Sequence, residues 1–261
     1  MAVRLHVVGA RGVAREAFAS AFAGLGAAHV RCANGWTWFE ASVWSVEAEH
    51  LDRGCDALRA PCVRVTSEDA CRWYLHVRWP GAAPELFCHP FTYAARTPGC
   101  AAEHEPVPSK AKRAQWLRAI CPATTHPARP ADRSHEAVAR VEKLRREMSR
   151  VGRFLLEQNV FFKSPAPRDV AERLLGLAYE QAMREYFLWQ ANAMSDCLAR
   201  AGIPHDRERV VSTLTGASVS NGESESDLGN MPRFLADIGF GREFEEWVEK
   251  ASGGPESEYK T

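Results

Sequence analysis

The segment Cys71–Trp79, which reads Cys-Arg-Trp-Tyr-Leu-His-Val-Arg-Trp, alternates strictly between apolar and polar side chains. Successive residues of a β-strand point to opposite faces, so the odd-numbered positions of this segment would share one face. These positions are Cys71, Trp73, Leu75, Val77 and Trp79. A period of two over this length predicts a strand with one buried face. We therefore expect the N-terminal half of the chain to be built around this strand.

Neighbouring patterns extend the strand into a sheet. Cys62–Thr66 alternates in the same way, and the polar stretch Ser67–Ala70 separates it from Cys71–Trp79, which predicts a β-hairpin. The dipeptide Asn34-Gly35 predicts a tight turn. Three more strands are expected at Val3–Val8, Ala28–Cys32 and Glu85–His89, and one helix at Val13–Leu25.

The stretch after the Asn34-Gly35 turn allows two interpretations. Its aromatic and β-branched residues favour a strand over Trp36–Val46. The spacing of Thr37 and Glu40 matches a capping box, and Gly54 stands where a glycine often ends a helix. We prefer a helix from about Trp38 to Arg53.

The second half of the chain predicts helices. Thr97–Arg133 contains six prolines and is expected to be a linker with one short helix near Lys110–Ile120. Ser134–Phe162 and Arg168–Ala201 have apolar residues at helical spacing and should pack as a long antiparallel pair. Shorter helices are expected at His205–Leu214, Met231–Ala236 and Arg242–Ala251, the first two separated by a polar loop at Thr215–Gly229.

The predicted fold class is therefore α+β. We expect a small mixed sheet with helices on one face, followed by a mainly α-helical C-terminal region with the antiparallel pair. The predicted domains are an α+β domain at 1–96, a Pro-rich linker at 97–133, a helical domain at 134–251 and a disordered tail at 252–261.

Composition excludes some classes of protein. No apolar run approaches the ~20 residues of a membrane-spanning helix, so we expect no membrane partner. No secretory signal is recognisable, and the eight cysteines are scattered, which favours reduced thiols in an intracellular, cytoplasmic protein. The mitochondrial matrix is the alternative, because the first 35 residues hold four arginines and one acid, as transit peptides do.

Charge is balanced overall, with 33 basic and 33 acidic residues, but it is unevenly distributed. Residues 108–153 contain twelve Lys/Arg and four Asp/Glu, whereas residues 221–261 contain four Lys/Arg and ten Asp/Glu. A basic helical surface with an aromatic side chain suits contact with RNA, or with an acidic protein. The alternative is a solvated helix face with local ion pairs. The candidate binding residues are Lys110, Lys112, Arg113, Trp116, Arg118, Arg145, Arg146, Arg150 and Arg153.

The turn Gly9–Arg15 lies between a predicted strand and a predicted helix, where phosphate-binding loops occur. A Walker loop would carry Gly-Lys-Ser/Thr where this chain has Ala14, Arg15 and Glu16, and only two glycines of the dinucleotide fingerprint are present. A tight structural turn explains the same residues. A nucleoside-phosphate-binding enzyme is the alternative function that this turn allows.

A set of cysteines and histidines suggests a zinc-stabilised module as a further alternative. The set is Cys88, Cys100, His104, Cys121 and His126. It lacks a Cys-x2-Cys pair, and buried thiols with surface histidines explain it equally well. We assign no catalytic residue, metal ligand or cofactor. The sequence is best interpreted as a non-catalytic interaction or scaffold protein, a component of a larger assembly with a protein partner, and with nucleic acid as a further candidate.

Overall fold

The computed structural model describes residues 6–23, 30–41, 48–68, 72–90, 105–121, 135–161, 164–216 and 230–241. Its strands are β1 (His6–Arg11), β2 (Arg31–Ala33), β3 (Trp36–Ala41), β4 (Cys62–Glu68), β5 (Arg72–Arg78) and β6 (Glu85–His89). The sequence prediction of an α+β fold with a helical C-terminal region is confirmed.

The six strands form one sheet in the order β2-β3-β1-β4-β5-β6. Every strand pair in the described residues is antiparallel, where the sequence led us to expect a mixed sheet. In β5 the odd-numbered side chains Trp73, Leu75 and Val77 are fully buried and the even-numbered ones are half-buried, as the alternation predicted. The β4–β5 hairpin and the bounds of β6 are also confirmed.

Helices cover both faces of the sheet, not one. On the first face, α1 (Arg15–Ala21) and α2 (Ala48–Leu58) pack over an apolar cluster that includes Val8 and Phe39. Gly54 lies inside α2 and does not end it. A Cβ atom at Gly54 would lie 2.2 Å from the Phe22 ring, so the glycine permits close packing of α2 against that ring.

The predicted helix over Trp38–Arg53 is wrong for its first part, because Trp36–Ala41 is strand β3. Asn34 and Gly35 have positive φ angles of 52° and 78°, which is the geometry of a two-residue hairpin turn between β2 and β3. Once this turn forms, Thr37 and Glu40 are held in the β1–β3 ladder, and their capping-box spacing is a coincidence.

The second face of the sheet is covered by the C-terminal part of the chain. The covering elements are the second half of α7 (Tyr179–Arg200), α8 (Arg207–Gly216) and α9 (Met231–Leu235), which continues as a π-helical turn to Phe240. Trp36 Nε1 donates a hydrogen bond of 3.0 Å to the Ile238 carbonyl, and the rings of Trp36 and Phe240 lie 4.7 Å apart. These contacts join residues about 200 positions apart to the strand core.

The remaining helices are α3 (Lys110–Ile120), α4 (His135–Glu147), α5 (Arg150–Leu156) and α6 (Arg168–Leu174), with a π-helical turn extending α5 to Phe161. The bounds of α3 match the prediction. The two long predicted helices are each divided. Ser149 caps α5 by accepting a hydrogen bond from the Gly152 N–H, so α4 and α5 are separate.

The chain forms two compact units, one made of residues 1–96 with 188–261 and the other of residues 97–187. We call them the sheet unit and the helical unit. The boundary between Phe187 and Leu188 falls inside α7. The domain bounds expected from the sequence stay a prediction, and the expected helix Arg242–Ala251 and the tail lie outside the described residues. No described helix has the length and apolar character needed to cross a bilayer.

Candidate functional site

Five of the nine predicted binding residues present their charge to solvent. They are Lys110, Lys112, Arg118, Arg146 and Arg153, and Lys143 is exposed as well. No ion pair joins any of these side chains to an acid in the described part of the chain. Lys110 and Lys112 lie in the first turn of α3, which contains no acidic residue. Their ammonium groups are therefore available to an external anion.

The other four residues make contacts inside the helical unit. Arg145 forms ion pairs with Glu157 at 2.5 Å and with Glu142 at 3.6 Å. The Arg150 guanidinium lies 3.9 Å from the centre of the Tyr179 ring, a cation–π contact. These two arginines therefore contribute to the structure of the unit itself.

Arg113 and Trp116 lie on the inner side of α3. The Arg113 guanidinium packs beside Gly176, so closely that a Cβ atom at that glycine would lie 2.5 Å from its Nη1 atom. Trp116 is only 5% exposed and its ring packs against Gly152. The ring therefore lacks the open face on which a nucleic-acid base would stack. The binding role of the nine residues as a set stays a prediction.

Basic residues outnumber acidic ones in α3–α5 more than elsewhere in the helical unit. Residues 105–121 and 142–161 contain nine Lys/Arg and four Glu, whereas residues 164–187 contain three Arg and four acids. Three of the four glutamates in residues 105–121 and 142–161 have internal partners. Glu142 and Glu157 bind Arg145, and a Glu105 carboxylate oxygen accepts a hydrogen bond of 3.0 Å from the Arg150 backbone N–H. The acids near the exposed cations are thus largely occupied.

The Gly9–Arg15 turn borders a depression of about 520 Å³ between the β1–α1 turn and the β2–β3 hairpin. The Gly12 N–H donates a 2.8 Å hydrogen bond to the Gly35 carbonyl, and the Thr37 hydroxyl donates one of 2.6 Å to the Val13 carbonyl. In these two bonds the Gly12 N–H and the Val13 carbonyl of the turn bind the β2–β3 hairpin. Because β1 is antiparallel to both neighbours, the turn does not occupy the switch point of a parallel sheet, where nucleotides usually bind.

Two members of the predicted zinc set are described, and each is engaged inside its own unit. Cys88 is fully buried in β6. The Cys121 thiol lies in the helical unit, where Asn159 Nδ2 donates a hydrogen bond of 3.3 Å to it. Burial raises the pKa of Cys121. Cys100, His104 and His126 lie outside the described residues. Where the structure describes the chain, no three His, Cys, Asp or Glu side chains form a metal-binding group.

Ser195 and His205 form a hydroxyl–imidazole pair that sequence reasoning missed. Ser195 Oγ lies 2.7 Å from His205 Nε2, and His205 Nδ1 lies 2.8 Å from the Ile203 carbonyl oxygen. This resembles the nucleophile–base arrangement of hydrolases. Ser195 is only 1% exposed, however, so a substrate carbonyl cannot reach its oxygen. The pair fixes the turn between α7 and α8.

His89 is the centre of a buried polar network in the sheet unit. Its Nδ1 lies 2.8 Å from Gln190 Oε1 and its Nε2 lies 3.2 Å from Asn230 Nδ2. Asn230 Oδ1 in turn accepts a hydrogen bond of 2.9 Å from Trp73 Nε1. Complete burial lowers the pKa of His89 to about 4, against a smaller opposing effect of Gln190. The sequence carries no signal for this network, because its members are far apart in the chain.

A cluster of charged residues and thiols lies between α2 and the sheet. Arg78 forms ion pairs with Asp52 at 3.1 Å and with Asp56 at 2.6 Å, which joins β5 to α2. Arg64 Nη2 lies 2.9 Å from His76 Nδ1 on the same face. Burial, followed by the Arg64 charge, lowers the pKa of His76. Cys55 and Cys62 lie in the same layer, packed against each other.

Comparison of the chain with protein-family models, with curated proteins and with solved structures gives no significant match. The chemistry of the described side chains is therefore the basis for a functional proposal.

Proposed function

We propose that this protein is a non-catalytic interaction protein, a component of a larger assembly, that contacts the phosphate backbone of RNA through α3–α5. The observation that carries this proposal is a set of exposed cations that form no ion pair with any acid in the described residues, namely Lys110, Lys112, Arg118, Lys143, Arg146 and Arg153. Lysine and arginine that displace counterions from phosphates supply most of the affinity of sequence-independent binding.

The contacts should be to phosphate and not to bases. The predicted aromatic, Trp116, is buried and cannot stack on a base. Base recognition would also need side chains held in fixed directions, whereas exposed lysines rotate freely. We therefore expect binding that varies little with nucleotide sequence and strongly with salt.

The test measures binding of the full-length protein to RNA of mixed sequence over a series of salt concentrations. The logarithm of the affinity should fall linearly with the logarithm of salt, with a slope of roughly 0.7–0.9 for each neutralised phosphate. The main variant carries Lys110→Gln, Lys112→Gln and Arg118→Gln together. Each lost phosphate contact should weaken binding and reduce the slope by about one.

A matched control carries Arg168→Gln and Arg184→Gln, which removes exposed charges from α6 and α7 of the same unit. This control should bind as the unchanged protein does. Equal losses in both variants would indicate a general charge effect and contradict a defined surface. Circular dichroism of each variant checks that the fold is retained.

An acidic protein is the other partner that the same cations would suit. Competition with poly-glutamate at matched charge separates the two. If poly-glutamate binds and RNA does not bind at low salt, the RNA proposal is refuted and the surface is assigned to an acidic polypeptide. We further propose an intracellular location, cytoplasmic or, as the alternative, the mitochondrial matrix.

A second candidate function is nucleoside-phosphate binding at the Gly9–Arg15 turn. The depression beside this turn favours it, since Arg15 lines the depression and its side chain is exposed. Calorimetry with ATP and GTP tests it directly. Binding that is lost in Arg15→Gln would support this candidate, whereas no binding by the unchanged protein would exclude it. The zinc-stabilised module is tested by measuring bound zinc in the native protein by elemental analysis.

A further inference from the structure

The thiols of Cys55 and Cys62 face each other between α2 and the start of β4. Both residues belong to the apolar cluster on the first face of the sheet. The Cys62 thiol lies within hydrogen-bonding reach of the Cys55 thiol. A tight connection at the end of α2, in which Arg59 has a positive φ of 50°, brings the two residues together across seven positions of sequence.

The two thiols differ in their access to solvent. Cys62 is only 1% exposed, and its Sγ lies 3.4 Å from the Ala60 carbonyl oxygen. Cys55 is half-buried on the outer part of the layer. A reagent from solution therefore meets Cys55 first, while Cys62 stands behind it.

Charged groups surround Cys55. Arg64 and Arg78 are near enough to interact electrostatically with it. Asp52 and Asp56 bind Arg78 and hold its side chain along α2. The neighbouring Cys55 thiol, followed by burial, raises the pKa of Cys62.

We propose that Cys55 and Cys62 are a redox-active pair that forms a disulfide bond when the protein meets a disulfide oxidant such as oxidised glutathione. The Cys55 thiolate attacks one sulfur of glutathione disulfide, and one glutathione thiolate leaves. Cys62 then loses its proton and attacks the Cys55 sulfur of the mixed disulfide, and the second glutathione thiolate leaves. The protein loses two protons and two electrons, and glutathione disulfide takes them up to become two molecules of glutathione.

The oxidised form would join α2 covalently to β4. The other described cysteines have different surroundings. Cys32 is exposed and lies 3.6 Å from the Thr37 hydroxyl, whereas Cys197 and Cys88 are buried. Because Cys32 is exposed on the same unit, Cys32→Ser is a suitable control for nonspecific thiol oxidation.

The test incubates the native full-length protein with mixtures of reduced and oxidised glutathione, then blocks remaining thiols with iodoacetamide and digests with trypsin. Cleavage after Arg53, Arg59 and Arg64 places the two cysteines in separate peptides, residues 54–59 and 60–64. A disulfide is therefore read as a linked pair of these peptides that disappears on treatment with dithiothreitol. The linked pair should form in the unchanged protein and in Cys32→Ser, and be absent from Cys55→Ser and Cys62→Ser.

Two single variants test the order of attack. Cys62→Ser should accumulate a glutathione adduct on Cys55, because the resolving thiol is missing. Cys55→Ser should give little adduct on the buried Cys62. The proposal is overturned if no linked peptide forms in the native protein at glutathione ratios that oxidise it after urea unfolding, or if the Cys62 adduct forms as fast as the Cys55 adduct. Circular dichroism confirms that each variant is folded.

Discussion

The buried network around His89 predicts a loss of stability in acid. In the neutral imidazole, Nδ1–H donates to Gln190 Oε1 and Nε2 accepts from Asn230 Nδ2. A second proton would place an N–H at Nε2, facing the N–H of Asn230. Asn230 cannot turn its amide around, because Oδ1 already accepts the Trp73 indole N–H at 2.9 Å. Protonation of His89 therefore breaks a hydrogen bond in addition to placing a charge in the core.

The size of the effect follows from the pKa. His89 has a pKa of about 4 in the folded protein, lowered chiefly by burial, against 6.5 for an ordinary histidine. The unfolded chain therefore binds a proton that the folded chain excludes, and the free energy of unfolding falls as the pH drops below about 6.5. One pKa unit corresponds to about 1.4 kcal/mol, so the loss is roughly 2 kcal/mol by pH 5 and roughly 3 kcal/mol by pH 4. Above pH 7 this contribution is fully retained.

The assay measures urea unfolding by tryptophan fluorescence at several pH values between 7 and 4.5, for the unchanged protein and for His89→Gln. Glutamine can donate to Gln190 and accept from Asn230, but it does not titrate. The change in the free energy of unfolding between two pH values is measured for each protein, and the two changes are then subtracted. Contributions from titrating groups that both proteins share, such as His76, cancel in this difference. The unchanged protein should lose roughly 2 kcal/mol more than the variant between pH 7 and pH 5. Parallel pH profiles would refute the reasoning.

Three further substitutions test the packing of the sheet unit, each by urea unfolding. Gly54→Ala improves helix propensity but places a Cβ atom 2.2 Å from the buried Phe22 ring, so it should destabilise the protein by about 1–3 kcal/mol. Adding Phe22→Leu to this variant should recover part of the lost stability. Trp36→Phe removes the hydrogen bond to the Ile238 carbonyl and should cost about 1–3 kcal/mol, because the carbonyl stays buried; a loss within error would contradict the 3.0 Å contact. Arg200→Gln breaks an exposed ion pair with Glu85 and should lower the free energy of unfolding by no more than about 1 kcal/mol. A larger decrease would contradict the expectation that an exposed pair contributes little to stability.

The parts of the fold that the sequence predicted well depend on short-range patterns. Short-range alternation between apolar and polar residues marks which face of a strand is buried. It predicted the strand in Cys71–Trp79, the hairpin that precedes it and the strand Glu85–His89. Helix α3 was predictable because Ser109 can cap it and the apolar residues Leu117 and Ile120 mark its inner side. The same two residues also place Trp116 inside, since it lies four residues before Ile120 on that side of the helix.

Other parts depend on contacts that no local pattern records. The sequence predicted a short helix at Met231–Ala236, but nothing in this stretch indicates that the preceding Asn230 contacts Trp73, 157 positions earlier. The sequence also could not predict which basic residues are exposed and which make contacts inside the helical unit. Arg145 is held by Glu157 and Arg150 by Tyr179, and only the folded helical unit brings these partners together.

The His89 network of the sheet unit and the exposed cations of the helical unit use polar side chains in opposite ways, and this difference directs the search for a ligand. In the sheet unit, Gln190 Oε1 accepts from His89 and Gln190 Nε2 donates to the Cys88 carbonyl. Asn230 Nδ2 donates to His89 Nε2 and to the Thr213 carbonyl, so the described network satisfies itself. A buried site that is saturated in this way gains nothing from a ligand. In the helical unit, the exposed cations of α3–α5 have no internal ion pairs among the described residues, and an external anion would gain contacts without breaking any. Polyanions are therefore the class of partner with which screening should begin.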